Sequence, residues 1–137
     1  MNVKENEIKN LMATHKKFCV YGLSPDATKP SHYVPAYMRE QGWQMVGTYP
    51  KPHDVGGFKI YSTLAGVPAE YRKFIDVFRA SDRIGDVVDE VLEVGGVEVL
   101  WLQLGIMNPA EELRAEKAGI KVVSNHCLIP EHKRWFK

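Results

Sequence analysis

The run KFCVYGLSPDATKPS, residues 17–31, joins a continuous apolar segment to a polar loop and then to a segment with helical spacing. An apolar run without alternation is typical of a strand buried on both faces of a parallel sheet, and Gly22 ends this one. In nucleotide-binding βαβ proteins the loop after such a strand holds phosphates, but this loop has one glycine where three are usual. The run therefore predicts a strand, a binding loop and a helix, and it raises the question of what the loop binds.

The rest of the chain repeats this alternation. Further strands are predicted at 43–49, 58–61, 74–78, 97–104 and 120–124, and helices at 31–41, 81–95 and 108–119. Strands and helices alternating at this spacing imply βαβ units with right-handed crossovers. The predicted fold class is α/β, with a doubly wound, mainly parallel Rossmann-like sheet that carries helices on both faces in three α/β/α layers.

The predicted helices differ in the strength of their signals. The clearest is 81–95, whose apolar side chains fall on one stripe: Ile84, Val87, Val88, Val91 and Leu92. In the last of the three helices, Asn108 is the predicted N-cap and Glu111 completes a capping box. Ser31 is expected to open the helix at 31–41, which requires Pro35 to lie in the first turn.

The two ends of the chain receive different interpretations. An amphipathic helix within residues 1–15 is expected to pack on the domain, with Ile8, Leu11 and Met12 on its apolar side. Residues 125–137 follow the last strand and are interpreted as a tail. The whole chain, 1–137, is predicted to be a single domain.

Composition excludes several classes of function. The chain has 137 residues, 45% of them hydrophobic and 26% charged, with a formal net charge of +1. This balance gives no general attraction to nucleic acid. No apolar run approaches the ~20 residues that cross a bilayer, and the first residues are too polar for a signal peptide. We therefore expect a cytoplasmic protein that does not bind nucleic acid or membrane, with Cys19 and Cys127 as free thiols.

In a doubly wound sheet, ligands bind outside the carboxyl ends of the strands, where the strand order reverses. A dinucleotide site there needs several glycines and an acidic residue for the ribose, yet no carboxylate follows the second strand until Asp54. NAD is therefore disfavoured. A phosphate is still plausible near Ser24 and Ser31, because the loop leads into a helix N-terminus. The alternative is that Ser24 belongs to a simple turn and Ser31 only caps the helix.

Two cations follow predicted strands. Lys51 occupies a position where a cation favours a phosphorylated ribose, as in NADP or CoA, although it could equally be a solvated loop residue. Arg79 directly follows the strand at 74–78, where a guanidinium can grip a phosphate with two hydrogen bonds. Asp76 or Asp82 could pair with Arg79 instead.

The strand at 97–104 ends in a third candidate region. Gln103 can both donate and accept hydrogen bonds, and Gly105 could admit a ligand close to the backbone. Gly105 could equally serve only a turn.

The order of the strand-end motifs resembles a known family, the small stand-alone CoA-binding domain proteins, which are similar to the CoA-binding Rossmann domain of succinyl-CoA ligase α subunits. No single stretch is specific, but seven occur in the correct order. They are VYGLSP at 20–25, KPSHYV at 29–34, TYPK at 48–51, KIYSTLAGVP at 59–68, DVFR at 76–79, WLQLGIMN at 101–108 and HCLIPEH at 126–132.

The resemblance implies that coenzyme A or an acyl-CoA binds across the carboxyl edge of the sheet. Gly22, Ser24 and Ser31 would line the phosphate loop. The adenosine end would meet Thr48, Tyr49, Pro50, Lys51, Phe78 and Arg79, and the rest of the cleft would contain Gln103, Gly105 and Cys127. The chain departs from the usual pattern at Asn125-His126-Cys127, where Asp-Arg-Cys is more common, so that a cation near the thiol is missing.

The sequence shows no catalytic constellation. Cys127 could act as a nucleophile only with His126 or His132 as its base, and adjacent residues of a strand point to opposite faces. The same three residues lack the paired spacing of a structural zinc site. We therefore predict a non-catalytic binding or regulatory protein for a small nucleotide ligand, with the protein partner unknown. The alternative is an NADP- or NAD-binding module or redox sensor.

Overall fold

The fold is built on one six-stranded sheet, seen in a computed structural model that describes residues 3–51 and 54–137. The strands are β1 Lys17–Tyr21, β2 Gln44–Thr48, β3 Ile60–Tyr61, β4 Phe74–Val77, β5 Val99–Leu102 and β6 Lys121–Val123. They lie in the order β3-β2-β1-β4-β5-β6, and each pairs with its neighbours in parallel. The chain winds outward from β1 to β3 and then returns to place β4 on the other side of β1. The predicted doubly wound parallel sheet is therefore confirmed.

Helices cover both faces of this sheet. They are α1 Glu5–Thr14, α2 Pro30–Glu40, α3 Ile84–Val94, α4 Pro109–Lys117 and α5 Leu128–Phe136. Residues of α1, α2 and α5 share one core with the sheet, around Phe18, Phe74 and Trp101. Residues of α3 and α4 share the other core, around Ile75 and Leu100. The three predicted layers follow from this division. No helix in the described ranges is long and apolar enough to span a bilayer.

The N-terminal helix forms as predicted, with Ile8, Leu11 and Met12 buried. The helix α3 also forms, but Leu92 is exposed, because the eighth residue along from Ile84 lies at the margin of the buried stripe. A short 3₁₀ turn at Ser81–Arg83 precedes α3 and accounts for the earlier start of the predicted helix.

The interpretation of residues 125–137 as a tail was wrong, because most of this segment is α5. Leu128, Glu131 and His132 are buried at helical spacing, and Trp135 and Phe136 continue the stripe half-buried. Two of the buried positions hold polar residues, so the helical spacing of the buried side chains is not visible as a spacing of apolar residues in the sequence. Their polar atoms have partners: His132 Nδ1 lies 2.9 Å from the Tyr37 hydroxyl, and Glu131 accepts from Trp135 Nε1 at 3.0 Å.

The start of α2 also differs from the prediction. The helix begins at Pro30 with Lys29 as its N-cap, so Ser31 is its second residue and Pro35 lies in the second turn. Pro35 has no N–H for the Ser31 carbonyl four residues earlier, and that carbonyl instead accepts from the Ser24 N–H at 3.3 Å. The proline is therefore tolerated because the loop supplies the missing donor.

At α4, Asn108 is the N-cap and its Oδ1 accepts from the Glu111 N–H at 3.3 Å, as predicted. The reciprocal bond is different: the Asn108 N–H donates to Glu112 at 2.9 Å, while Glu111 accepts from Arg114 Nε at 2.8 Å. The predicted capping box was wrong in this second half, because Arg114 one turn later provides Glu111 with a charged partner.

Candidate functional site

The loop after β1 does not form a cradle of free amides. The N–H groups of Gly22 and Leu23 both donate to the Thr48 carbonyl, at 3.0 and 3.1 Å, and the Ser24 N–H donates to the Ser31 carbonyl. These bonds tie the loop to β2 and α2. An anion at this edge would therefore need other donors than the three amides that follow β1.

The middle of the loop is a pair of side-chain turns. Ser24 Oγ accepts from the Asp26 N–H at 3.0 Å. Asp26 Oδ1 in turn accepts from the Thr28 N–H at 3.0 Å and from the Thr28 hydroxyl at 2.7 Å. The expected turn at Ser24 is therefore present, whereas Ser31 does not cap α2. Ser31 lies in the first turn of the helix, beside the exposed side chain of Lys29.

Gly22 is required where β1 leads into this loop. Its φ of +90° lies in the region that favours glycine, and a Cβ at this position would lie 3.0 Å from the Phe78 carbonyl oxygen. The segments after β1 and β4 can therefore approach closely. This is the point where the strand order reverses.

A groove runs along the carboxyl edge of the sheet through this point. Its middle is a cavity of about 180 Å³ between the loop and the end of β4, lined by Gly22, Ser24, Lys29, Ser31, Tyr49, Pro50, Phe78 and Arg79. One side opens into a larger cavity of about 440 Å³, which we call the apolar lobe. Its lining adds Pro30, Tyr33, Val34, Ala80, Gln103, Leu104, Ile106 and Cys127. The other side narrows to a cavity of about 40 Å³, the polar end, lined by Tyr21, Gly22, Thr48, Tyr49, Pro50, Ser62, Thr63, Arg79 and Glu90.

Ten of the predicted site residues line this groove. They are Gly22, Ser24, Ser31, Thr48, Tyr49, Pro50, Phe78, Arg79, Gln103 and Cys127. Lys51 is exposed beyond the polar end and is not part of the lining. Gly105 is also outside it: its N–H donates to Asn125 Oδ1 at 2.7 Å, and a Cβ there would meet nothing within 4 Å. The positive φ of Gly105 therefore serves a turn that is held by Asn125.

Arg79 lines all three parts of the groove, and its side chain is exposed. Its guanidinium carbon lies 5.9 Å from the centre of the Tyr21 ring. Asp76, one of the two carboxylates considered as partners, is buried and bonded elsewhere, and in the described part of the chain no ion pair joins Arg79 to Asp82. Arg79 therefore lines the groove without an ionic partner among residues 3–51 and 54–137.

At the polar end a carboxylate is already occupied. Glu90 Oε1 accepts from the Tyr21 hydroxyl at 2.6 Å, and Glu90 Oε2 accepts from the Leu64 N–H at 2.8 Å. Burial and the bond to Glu90 raise the pKa of Tyr21, so its hydroxyl remains a donor. These contacts leave Glu90 poorly suited to bind ribose hydroxyls, which is the role of an acidic residue in a dinucleotide site.

The wall of the apolar lobe contains a buried polar pair. Gln103 Nε2 donates to Asp76 Oδ1 at 2.7 Å, and the two side chains are 4% and 0% exposed. Burial raises the pKa of Asp76 to about 8, against the opposing effect of the bond from Gln103. Sequence reasoning considered Asp76 only as a partner for Arg79, because a carboxylate in an apolar strand gives no sign of which neighbour it meets.

Cys127 lies at the N-cap of α5, half-buried against the lobe. Burial raises the pKa of its thiol, more than the Ile129 N–H lowers it. Within the described residues no hydrogen bond joins this thiol to either candidate base: His126 Nδ1 lies 2.6 Å from the Ser124 carbonyl oxygen, and His132 Nδ1 lies 2.9 Å from the Tyr37 hydroxyl. Within the described residues, no three His, Cys, Asp or Glu side chains are grouped to hold a metal ion.

Sequence reasoning missed several lining residues. Lys29 is the most important, because it adds a second cation to the middle of the groove. It stands directly before the Pro-Ser pair that starts α2, so its position at a helix start could have indicated it. Tyr33 and Leu104 are large apolar residues that stay 46% and 68% exposed at the lobe. Ser62 and Thr63 follow the short strand β3, whose two residues give only a weak strand signal.

The strand order and the position of the groove at the reversal point define a Rossmann-like domain. The chain belongs to the CoA binding domain family, whose model matches residues 16–133. This finding confirms the family that the strand-end motifs resemble.

Three similar proteins span almost the whole chain. The uncharacterised protein YneT of Bacillus subtilis is 28% identical over 131 residues, which cover 96% of each chain. A solved structure from Thermus thermophilus, described as cell-free ID.343, is 33% identical with a TM-score of 0.87, and covers 98% of this chain and 100% of its own. A hypothetical protein from Pyrococcus horikoshii OT3 is 25% identical with a TM-score of 0.90, over 99% and 94% of the two chains.

Proposed function

We propose that the protein binds coenzyme A or an acyl-CoA along the groove and acts as a non-catalytic binding or regulatory protein. The observation that carries the proposal is Arg79, an exposed guanidinium at the centre of the groove that has no ionic partner within the described residues. An unpaired cation in a cleft is suited to a phosphate, because a guanidinium can make two parallel charge-assisted hydrogen bonds to it.

The shape of the groove supports the same ligand. Lys29 and Ser31 lie across the middle cavity from Arg79, so a pyrophosphate there would meet cations from α2 and from the segment after β4. The adenosine would lie beside Tyr49 and Pro50 on the open side of the groove, because the polar end, with a cavity of about 40 Å³, is too small to enclose a nucleoside. The apolar lobe extends in the other direction toward Cys127 and suits the pantetheine arm or its acyl group.

Ligand-dependent melting tests the proposal. At ~100 times its dissociation constant, CoA adds about 2.7 kcal/mol to the free energy of unfolding. For a domain of this size we expect the melting temperature to rise on the order of 10 °C. NAD and NADP serve as comparisons, and a larger rise with either of them than with CoA would favour the dinucleotide alternative.

The variant Arg79→Ala tests the assigned phosphate contact. We expect CoA binding to weaken by roughly 1.5–3 kcal/mol, the range for a hydrogen bond to a charged group. Arg83→Ala is the matched control, because Arg83 is also exposed after β4 but lies outside the three cavities and pairs with Asp86 at 3.7 Å. Equal losses in the two variants would show a general charge effect, and no loss in Arg79→Ala would place the phosphates elsewhere.

A further inference from the structure

Asp76 is unusual because it places a carboxyl in the middle of the sheet. It lies on β4 between Val20 of β1 and Trp101 of β5, and it is 0% exposed. Its Oδ1 accepts from Gln103 Nε2, whereas its Oδ2 has no hydrogen-bond partner among the described residues. A buried carboxyl with an unpaired oxygen costs stability that an aliphatic side chain would not, so its presence calls for a reason outside packing.

Gln103 connects this carboxyl to the groove. It follows β5 directly and lines the apolar lobe with Cys127. Because Nε2 is engaged by Asp76, the carbonyl oxygen Oε1 is the amide atom that is left for a ligand. No donor among residues 3–51 and 54–137 bonds to Oε1, and it is not enclosed by protein.

The carboxyl restricts how this amide can be oriented. A side-chain amide offers an acceptor and a donor of nearly equal size, and a half-turn exchanges them. Once Asp76 is ionised, above its pKa of about 8, it only accepts hydrogen bonds, so the NH₂ group must face Asp76, as it does in the observed Nε2–Oδ1 contact, and the oxygen must face the lobe. With an apolar residue at position 76, both orientations would be open to Gln103.

We propose that Asp76 is a positioning residue that holds Gln103 with its Oε1 toward the lobe, so that the site selects a ligand with an amide N–H in its arm. The inference rests on the proposed function, because CoA is the ligand whose pantetheine arm would enter the lobe. That arm contains two amide groups, each with one N–H donor. Adenosine 3′,5′-bisphosphate shares the phosphorylated ribose of CoA but lacks the arm.

A double-mutant cycle with these two probes tests the inference. Binding of CoA and of adenosine 3′,5′-bisphosphate is measured by calorimetry for wild type, Gln103→Leu, Asp76→Leu and the double variant. The measurements are made at about pH 9 in the presence of a reductant, because Asp76 is then ionised above its pKa of about 8. We expect each single variant to bind CoA roughly twofold to tenfold more weakly, the range for one neutral hydrogen bond.

Two further results distinguish positioning from general damage. Binding of the bisphosphate should stay unchanged in every variant, since it makes no contact in the lobe. The double variant should bind CoA as each single variant does, because Asp76 acts only through Gln103. If Asp76→Leu does not fold, Asp76→Asn replaces it. The asparagine amide can either accept from Gln103 Nε2 or donate to Gln103 Oε1, so it does not fix the orientation of Gln103. CoA affinity should then fall in this variant too.

Four results would overturn the inference. Unchanged CoA affinity in Asp76→Leu or Gln103→Leu would refute it while leaving the proposed function intact. Additive losses in the double variant, or an equal loss of bisphosphate binding, would show that Asp76 acts on the fold instead of on Gln103. Failure of wild type to bind CoA at all would overturn the proposed function together with the inference.

Discussion

A carboxyl at position 76 should be visible in the stability of the protein as well as in ligand binding. Burial raises the pKa of Asp76 from 3.8 to about 8. The folded protein therefore keeps a proton on this group over a pH range in which the unfolded chain has already lost it. The contribution is fully present below the unfolded pKa, and it is lost as the pH rises through the folded pKa.

We expect Asp76→Asn to remove this pH dependence. Between about pH 4 and pH 8 the free energy of unfolding of the wild type should fall relative to that of the variant, by at most ~1.4 kcal/mol per pH unit. Above pH 8 the difference should level off. Urea unfolding of both proteins at several pH values measures it, and a constant difference across the range would mean that Asp76 is not buried as a neutral acid.

The connection from β1 to α2 shows how one loop joins three elements. Gly22 brings the loop against the segment after β4. The Thr48 carbonyl of β2 accepts hydrogen bonds from two amides of the loop, and the Ser31 carbonyl of α2 accepts one from a third. Pro35 contributes to this connection as well, because its missing N–H leaves the Ser31 carbonyl available to the Ser24 N–H. A change at Gly22 should disturb all three elements together.

Gly22→Ala and Gly42→Ala form a matched pair that isolates this close approach. Both glycines have positive φ, +90° and +102°, but a Cβ at Gly42 would meet nothing within 4 Å. We expect Gly42→Ala to cost ~1–2 kcal/mol for the backbone alone. Gly22→Ala should cost roughly 1–3 kcal/mol more, because its methyl group is forced against the Phe78 carbonyl.

Chemical unfolding of the two variants measures this difference. Equal costs would mean that the segment after β4 can move away from Gly22 without loss. A larger cost in Gly42→Ala would contradict the assigned packing at the start of the groove.

Considered as a whole, the molecule has a net charge of only +1, so the attraction of a phosphorylated ligand must come from the local arrangement of cations. Lys29 and Arg79 are both exposed and line the middle of the groove. Charges at exposed positions are strongly screened by salt, since the screening length falls from ~10 Å at 0.1 M to ~3 Å at 1 M.

We therefore expect CoA binding to weaken with ionic strength, by roughly tenfold or ~1.4 kcal/mol between low salt and 1 M KCl. Calorimetric titrations at several KCl concentrations measure the slope. Arg79→Ala should show a shallower slope, since one of the screened contacts is absent. A slope that is unchanged by the substitution would mean that Arg79 does not contact the phosphates.

The sequence predicts most of the fold because its strands are nearly pure apolar runs and α3 has a clear period. It does not predict α5, because Glu131 and His132 occupy buried positions that a hydrophobic pattern treats as solvent-facing. Most of the candidate site follows from the rule that ligands bind at the carboxyl ends of parallel strands. The Asp76–Gln103 pair could not be predicted. It depends on the register between β4 and β5, which decides which side chains lie next to each other on the same face of the sheet.

The outermost strands of the sheet are its shortest, with two residues in β3 and three in β6. Lys121 begins β6 and pairs with Glu7 at 3.0 Å, which places charge on that edge. An incoming chain could therefore extend the ladder by only a few residues on either side, and short charged edges oppose such addition. With a net charge of only +1, copies of this protein repel each other little. The short edge strands therefore provide the main obstacle to edge-to-edge aggregation.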